Sequence, residues 1–510
     1  MNFRRVGGFV GMVCALGLVA CGDPEPAADG ASTGSEGTTG STPPGTGGPM
    51  STSGGDTNDA STSSVADSTG PGAESSSGSD DGGTTADEDT GDETGSTGDP
   101  PAVPMPFDCV WSPPDIVTMK PDTGMNYLGG TLAMDATGAV SSVIAETTVL
   151  EYFVRRNRYD PVARTWDAGD VLTTTTVFDS NRHAVGSDAM GNSWHGWTSR
   201  NVVYGVRFDT ATGWEDPLLI GGSGQSFQLL RDHALTMGPQ GNIVEVWEEH
   251  DNTSWARRYN ATTGTWGSVH QLMAAPIGPS ELHDLSVASY GSGWALAAWR
   301  RSGLDAGLYT AMYDPASGWT ESVSIGDGAQ PYVAGNEAGD LVVVARTTEL
   351  RAHVYDAATG SWTTGTPFFT PEDGQLGNVR VQMDVGGNVI AIWRVFSGGG
   401  NDLWAARYGA ATQAWSEPEL ISEINAGWPL LAVNGGGHAI VAYEGGTGFA
   451  TRCYDADLGV WGPTDLTEVS SLDNIWSLTA NDQGDAALMV YHDILIASSF
   501  RDTISVFMAP

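Results

Sequence analysis

Beyond residue 106 the chain reads as short runs in which apolar and polar residues alternate with a period of two, which predicts strands and no helices. Gly241-Asn-Ile-Val-Glu-Val-Trp247, Gly387-Asn-Val-Ile-Ala-Ile-Trp393 and Gly437-His-Ala-Ile-Val-Ala-Tyr443 show the recurring form: a turn glycine, then an alternating strand that ends in an aromatic. A second mark follows these runs. It is a tyrosine-aspartate-like turn that leads to tryptophan, as in Tyr313-Asp314-Pro-Ala-Ser-Gly to Trp319 and Tyr355-Asp356-Ala-Ala-Thr-Gly-Ser to Trp362.

The tryptophans of this turn are Trp166, Trp214, Trp266, Trp319, Trp362, Trp415 and Trp461, spaced by 43 to 53 residues. Each unit therefore predicts four strands: a before the turn glycine, b after it, c ending at Tyr-Asp, and d starting at Trp. Four strands in a repeat of about 40–50 residues is the pattern of one β-propeller blade. Turn glycines fall at Gly138, Gly191, Gly241, Gly293, Gly339, Gly387, Gly437 and Gly484. They predict an all-β, eight-bladed propeller over 106–510; seven blades with an irregular cap also fit. Cys109-Val-Trp111-Ser-Pro-Pro-Asp-Ile reads as an orphan strand d, and the last unit shows a weak strand d at Ile504–Pro510. Ring closure is the expectation, with the N-terminal strand completing or flanking the last blade. Trp197, Trp247, Trp299 and Trp393 at the ends of strands b are expected in the core, with the strand-d tryptophans.

The Tyr-Asp-x-x-Thr-Gly-x-Trp turn resembles that of kelch-type propellers, especially at Tyr313 to Trp319 and Tyr355 to Trp362. The resemblance implies the propeller fold and covers the c–d part of most units. It stops at strand b, where kelch repeats end in paired glycines and this chain has Trp or Tyr. A fold does not carry a function, so no activity is taken from it.

Two segments precede the repeats. Arg4 and Arg5 are followed by an apolar stretch, Val6 to Leu16, too short to span a bilayer as a stable helix. Leu18-Val19-Ala20-Cys21 then resembles a bacterial lipobox. That resemblance implies removal of residues 1–20 as a signal peptide and a lipid on Cys21, which anchors the chain to a membrane without inserting it. An ordinary secretory signal with an incidental cysteine is the other reading. Residues 21–105 continue as a Gly/Ser/Thr/Asp-rich linker, with 16 acidic and no basic residues over 22–105. Such a segment buries too little apolar surface to offset chain entropy and is expected to be disordered, with an r.m.s. span of roughly 50 Å.

Charge narrows the partners. Against 62 acidic residues there are 22 basic ones, Lys120 is the only lysine, and the net charge is −40. Nucleic acid is excluded as a partner, because its recognition needs a basic footprint to replace phosphate counterions. No phosphate loop, HExxH, CxxC or G-x-S-x-G pattern occurs.

Aligned units supply the candidate chemistry. His183, His233 and His283 occupy one position just before strand a on three consecutive units. Convergence at the channel mouth would bring them within reach of one transition metal, for which imidazole is a fitting ligand. Just after strand b, Arg300, Arg346 and Arg394 recur on three consecutive units, a pattern suited to carboxylate or sulfate. Glu248 and His250, in a dense polar loop, are candidates for a catalytic acid or base. Cys109 and Cys453, which lie outside the leader, form a possible disulfide in an exported compartment. The expected function is that of a lipoprotein of the cell envelope, anchored in the outer membrane, whose propeller binds a glycan or a protein. The alternative is a metal-assisted or histidine-dependent lyase or hydrolase acting on an anionic polysaccharide. Whether the chain is catalytic is left open.

Overall fold

Short apolar runs separated by turn glycines favour pairing between sequence neighbours, and each unit folds into its own antiparallel sheet. The computed structural model describes residues 106–510 apart from 108, 120–125, 148–151, 176–182, 200, 223–229, 274–281, 304–305, 399, 424–425, 446–447, 470–471, 497–498 and 510. The leader and linker, with Cys21, lie outside the described residues. Eight sheets form, each a blade in which strands a, b, c and d pair in order, and together they make an eight-bladed all-β propeller. The blades span 126–175, 183–222, 232–273, 282–326, 329–369, 375–422, 430–468 and 472–509. No helix among the described residues is long and apolar enough to cross a membrane.

Strand b is buried along its length in most blades, as in Ile243–Glu248 and Ser193–Ser199. Neighbouring blades cover both of its faces, so the period-two polarity marks which blade a residue meets and not whether it meets water. Trp197, Trp247, Trp299 and Trp393 are among the largest fully buried side chains. All eight a–b turn glycines have φ between +79° and +102°, where a side chain is strained, which is why the turns are marked by glycine. At the same end of each blade, where strand c turns into strand d, Asp160, Asp209, Asp314, Asp356 and Asp455 each accept a hydrogen bond from the backbone N–H two residues on. The tryptophan that follows packs on the Tyr or Phe ending strand c, at 5.2–5.6 Å between ring centroids.

Strand d differs from expectation. In blades 1–4, 6 and 7 it is two residues long, breaks, and returns to strand c as a second short strand, as in Gly213–Trp214 and Leu218–Gly222. Blade 5 alone runs through, from Ser361 to Phe369. The last blade also needs a correction. Ser499–Ala509 is its strand c and not a strand d, and Asp115–Met119 from the start of the domain pairs with it as strand d. The residues before that strand reach both blade 8, where Ser112 donates to the Met508 carbonyl, and blade 7. Trp111 Nε1 donates to Thr451 Oγ1 at 3.0 Å, Phe107 packs with Ile440, and Cys109 is bonded to Cys453 with Cα atoms 5.9 Å apart.

Candidate functional site

The start of strand a and the end of strand b share one face of the ring, where the d–a and b–c loops gather. His283 pairs with Arg300 across that face. The His283 side chain lies outside the described residues. None of the three histidines stands before strand a as expected; they belong to strands His183–Ser187, Asp232–Met237 and Leu282–Tyr290.

The rings of His183 and His233 turn into the interblade packing. A Cβ added at Gly129 of blade 1 would come within 3.1 Å of His183 Cδ2, and one at Gly196 of blade 2 within 2.9 Å of His233 Cε1. The glycines leave room for the imidazoles. Both His183 nitrogens are buried without a hydrogen-bond partner. Burial, with the nearby His233 adding to it, pushes the His183 pKa down to about 4. His233 is held by Glu245 of its own blade, Nε2 to Oε2 at 3.2 Å, and both side chains are shut off from solvent. Glu245 also accepts from Trp194 Nε1 of blade 2. His195 makes the same inward turn, between the hydroxyls of Thr131, Ser141 and Ser193. Burial, then Arg158 and His183, lower its pKa to about 3.

The ring nitrogens of His183 and His233 are enclosed in the interblade packing, and the third histidine of the expected metal centre, His283, has its side chain outside the described residues. Among the described residues, one group of three ligating side chains lies within metal-binding distance: His438, Asp455 and Asp457 on blade 7. There His438 Nδ1 already accepts from the Ala456 N–H at 3.1 Å, which makes the group a clasp between the a–b and c–d turns.

The catalytic candidates separate. Glu248 is buried at the end of its strand, whereas His250 is exposed in the following turn. They occupy different environments, one enclosed and one facing solvent. Glu245 was the residue to notice instead, as the one acid inside the apolar run Ile243–Trp247.

The arginines also divide. Arg300 and Arg346 line one cleft of about 390 Å³ between blades 4 and 5, together with Arg301, Asp327 and Thr347. Arg346 donates through Nη1 to the Leu376 carbonyl, which leaves the rest of its guanidinium fork for other partners. Arg394 does not join them. It is buried, its guanidinium lies 4.5 Å from the Phe396 ring centroid, and Nη1 is 3.4 Å from Asn378 Oδ1. Sequence alignment missed Arg301 and Asp327, because each sits one position or one loop away from the repeated slot.

Fold and cleft together define the class: an eight-bladed propeller with an arginine-lined cleft on its loop face. No family model matches the chain, and no curated protein matches it. Solved structures similar to it include the Dos1 propeller, at 10% identity over 78% of this chain and 95% of that one, with a TM-score of 0.43. The β-propeller domain of the Trilobed protease from Pyrococcus furiosus is 9% identical over 68% of this chain and 98% of its own, with a TM-score of 0.42. The Aleuria aurantia lectin, solved with Fucalpha1-6GlcNAc, is 17% identical over 56% of this chain and 96% of its own, with a TM-score of 0.37. The eight-bladed assignment rests on this chain's own strand pairings.

Proposed function

We propose that this chain is an envelope lipoprotein, anchored through Cys21 in the outer membrane, that holds a propeller out on an acidic linker as a binding module for an anionic glycan. The observation that carries the reading is the meeting of Arg300 and Arg346 in one cleft. Arginine forks pair with carboxylate or sulfate through two parallel hydrogen bonds, which neutral sugars cannot match. Three arginines in one cleft are also a local exception on a strongly acidic chain.

The test is a titration of the full chain in detergent with a tri-galacturonate, a sulfated trisaccharide and a neutral trisaccharide. One of the acidic sugars should bind, and the Arg300→Ala, Arg346→Ala double variant should lose about tenfold or more in affinity, since each charge-assisted pair is worth about 1.5–3 kcal/mol. Equal binding of the neutral sugar, or a double variant that binds like the parent, would remove the anionic-glycan reading. The anchor is tested separately. Cys21→Ser should move the protein from the membrane fraction to the soluble fraction; retention in the membrane would mean that no lipid on Cys21 holds it.

A further inference from the structure

The residue just before the Tyr-Asp pair of strand c, or its equivalent, has the same job in blades 1 to 3: it fills the gap to the next blade. In blade 1 it is Arg158, whose guanidinium lies 4.1 Å from the Phe208 ring centroid of blade 2 and is paired with Asp135. In blade 2 it is Arg207, 5.7 Å from the Tyr259 ring of blade 3 and paired with Asp209 and Glu215. In blade 3 it is Arg258, 4.9 Å from the Tyr313 ring of blade 4, and its Nη2 donates to Asn242 Oδ1 at 2.8 Å. The pattern is a guanidinium on the ring of the next blade, held by an oxygen acceptor of its own blade.

Other blades fill the position differently. Met312 of blade 4 packs in the cluster that holds Tyr355 of blade 5, and Met508 of blade 8 packs with Tyr159 of blade 1. Arg407 of blade 6 shares a cleft with Tyr454. In blade 7 the residue is Cys453, bonded to Cys109.

Blade 5 carries Val354 at this position, opposite Val342 as Arg258 is opposite Val244. Valine packs in the cluster that holds Tyr408 but carries no cation to set over that ring. The ring and the acceptor are nonetheless still in place. Tyr408 of blade 6 stands where Tyr313 stands in blade 4, and Asp340 takes the turn position of Asn242, directly after the turn glycine. A Cβ added at Gly387 of blade 6 would lie 2.7 Å from Asp340 Oδ2, so the carboxylate reaches across to the facing turn. Burial raises the Tyr408 pKa, and the negative charge of Asp340 raises it further. Between them lies a cleft of about 890 Å³, against about 390 Å³ beside Arg258 and about 650 Å³ beside Arg407. Its lining includes Asp340, Asp356, Glu417 and Trp415, and no Lys or Arg.

We propose that this cleft between blades 5 and 6 is a binding site for a guanidinium group, which takes the place over the Tyr408 ring that an intramolecular arginine occupies between blades 1 and 2, 2 and 3, and 3 and 4. The site uses the a–b and c–d turns, at the opposite ends of the strands from the Arg300 cleft, and does not depend on the function proposed above. The same chemistry arises from an arginine side chain of a peptide or from a small guanidino amine.

The experiment titrates the full chain in detergent, at low ionic strength, with N-acetyl-arginine amide, agmatine and N-acetyl-norleucine amide. Saturable binding of either guanidinium probe, with none of norleucine amide, is the expected result. Binding of the arginine amide alone would assign the site to peptides, and binding of agmatine alone to small amines. Val354→Arg should abolish that binding by supplying an internal guanidinium. Asp340 also accepts from Asn336 Nδ2 at 2.9 Å, and Asp340→Asn, which removes the carboxylate charge at nearly the same volume, should weaken binding about tenfold. The proposal is overturned if neither probe binds the parent chain, if norleucine amide binds equally, or if Asp340→Asn and a folded Val354→Arg both bind like the parent.

Discussion

Lowering the pH from 7 to 4.5 is expected to destabilise the propeller by several kcal/mol, through His195 and His183. Burial lowers their pKa values in the folded state to about 3 and about 4, below the ordinary imidazole value of 6.5. The unfolded chain therefore takes up protons that the folded chain refuses. The stability contributed by the two neutral rings is fully present above pH 6.5 and is lost as the pH falls from there toward 4 for His183 and 3 for His195. Each pH unit inside that window removes about 1.4 kcal/mol per ring, so by pH 5 the pair has lost about 4 kcal/mol. Against total stabilities of about 5–15 kcal/mol, that is a large fraction. Protonation of the many carboxylates relieves self-repulsion and acts in the other direction. The comparison that isolates the histidines is thermal melting at pH 7, 6, 5 and 4.5 for the parent and for His195→Gln and His183→Gln. The parent's Tm should fall across this range, and the variants, although less stable at pH 7, should fall less. Parallel pH profiles in all three proteins would disprove the assignment.

Reduction of the Cys109–Cys453 bond is the second large effect. The bond closes a sequence separation of 344 residues, and loop-closure entropy for so long a loop is on the order of 5 kcal/mol. It also ties down the strand on which the ring depends. Asp115–Met119 supplies strand d of blade 8, and the segment before it reaches blade 7 through Phe107, Cys109 and Trp111. Reduction should lower Tm and make residues 106–119 the first site of protease attack. Cys453→Ser should melt at the lower temperature and no longer respond to reductant. A parent protein with the same Tm in the presence and absence of reductant would show that the bond adds nothing to the closed ring.

The propeller was legible because its signals are local. A turn that needs positive φ selects glycine at Gly138, Gly191 and the six later positions, and the Tyr-Asp turn with its tryptophan places strands c and d. Strand d was less legible, since a two-residue ladder leaves almost no periodicity to read. The site was read in part. Equal spacing in the repeat put Arg300, Arg346 and Arg394 in one class, yet Arg394 is buried while the other two share a cleft. The same spacing put His183 and His233 at the mouth, but the absence of a side chain at Gly129 and Gly196 gave their rings room between blades. Those glycines lie in other units, so alignment of the histidine positions could not reveal them.

By itself, then, the sequence determined the leader-like start, the acidic linker and the repeated strand pattern of a propeller, since these depend on composition and on residues a few positions apart; the strand pairings decided eight blades over seven. Tertiary structure alone decided that the first strand closes the last blade, that two aligned histidines are core residues, and that Val354 leaves a ring and a carboxylate facing an open cleft. Each of those outcomes is set by what the neighbouring blade presents, and a residue's neighbour across a blade interface lies about 50 positions away in the chain, or some 390 at ring closure.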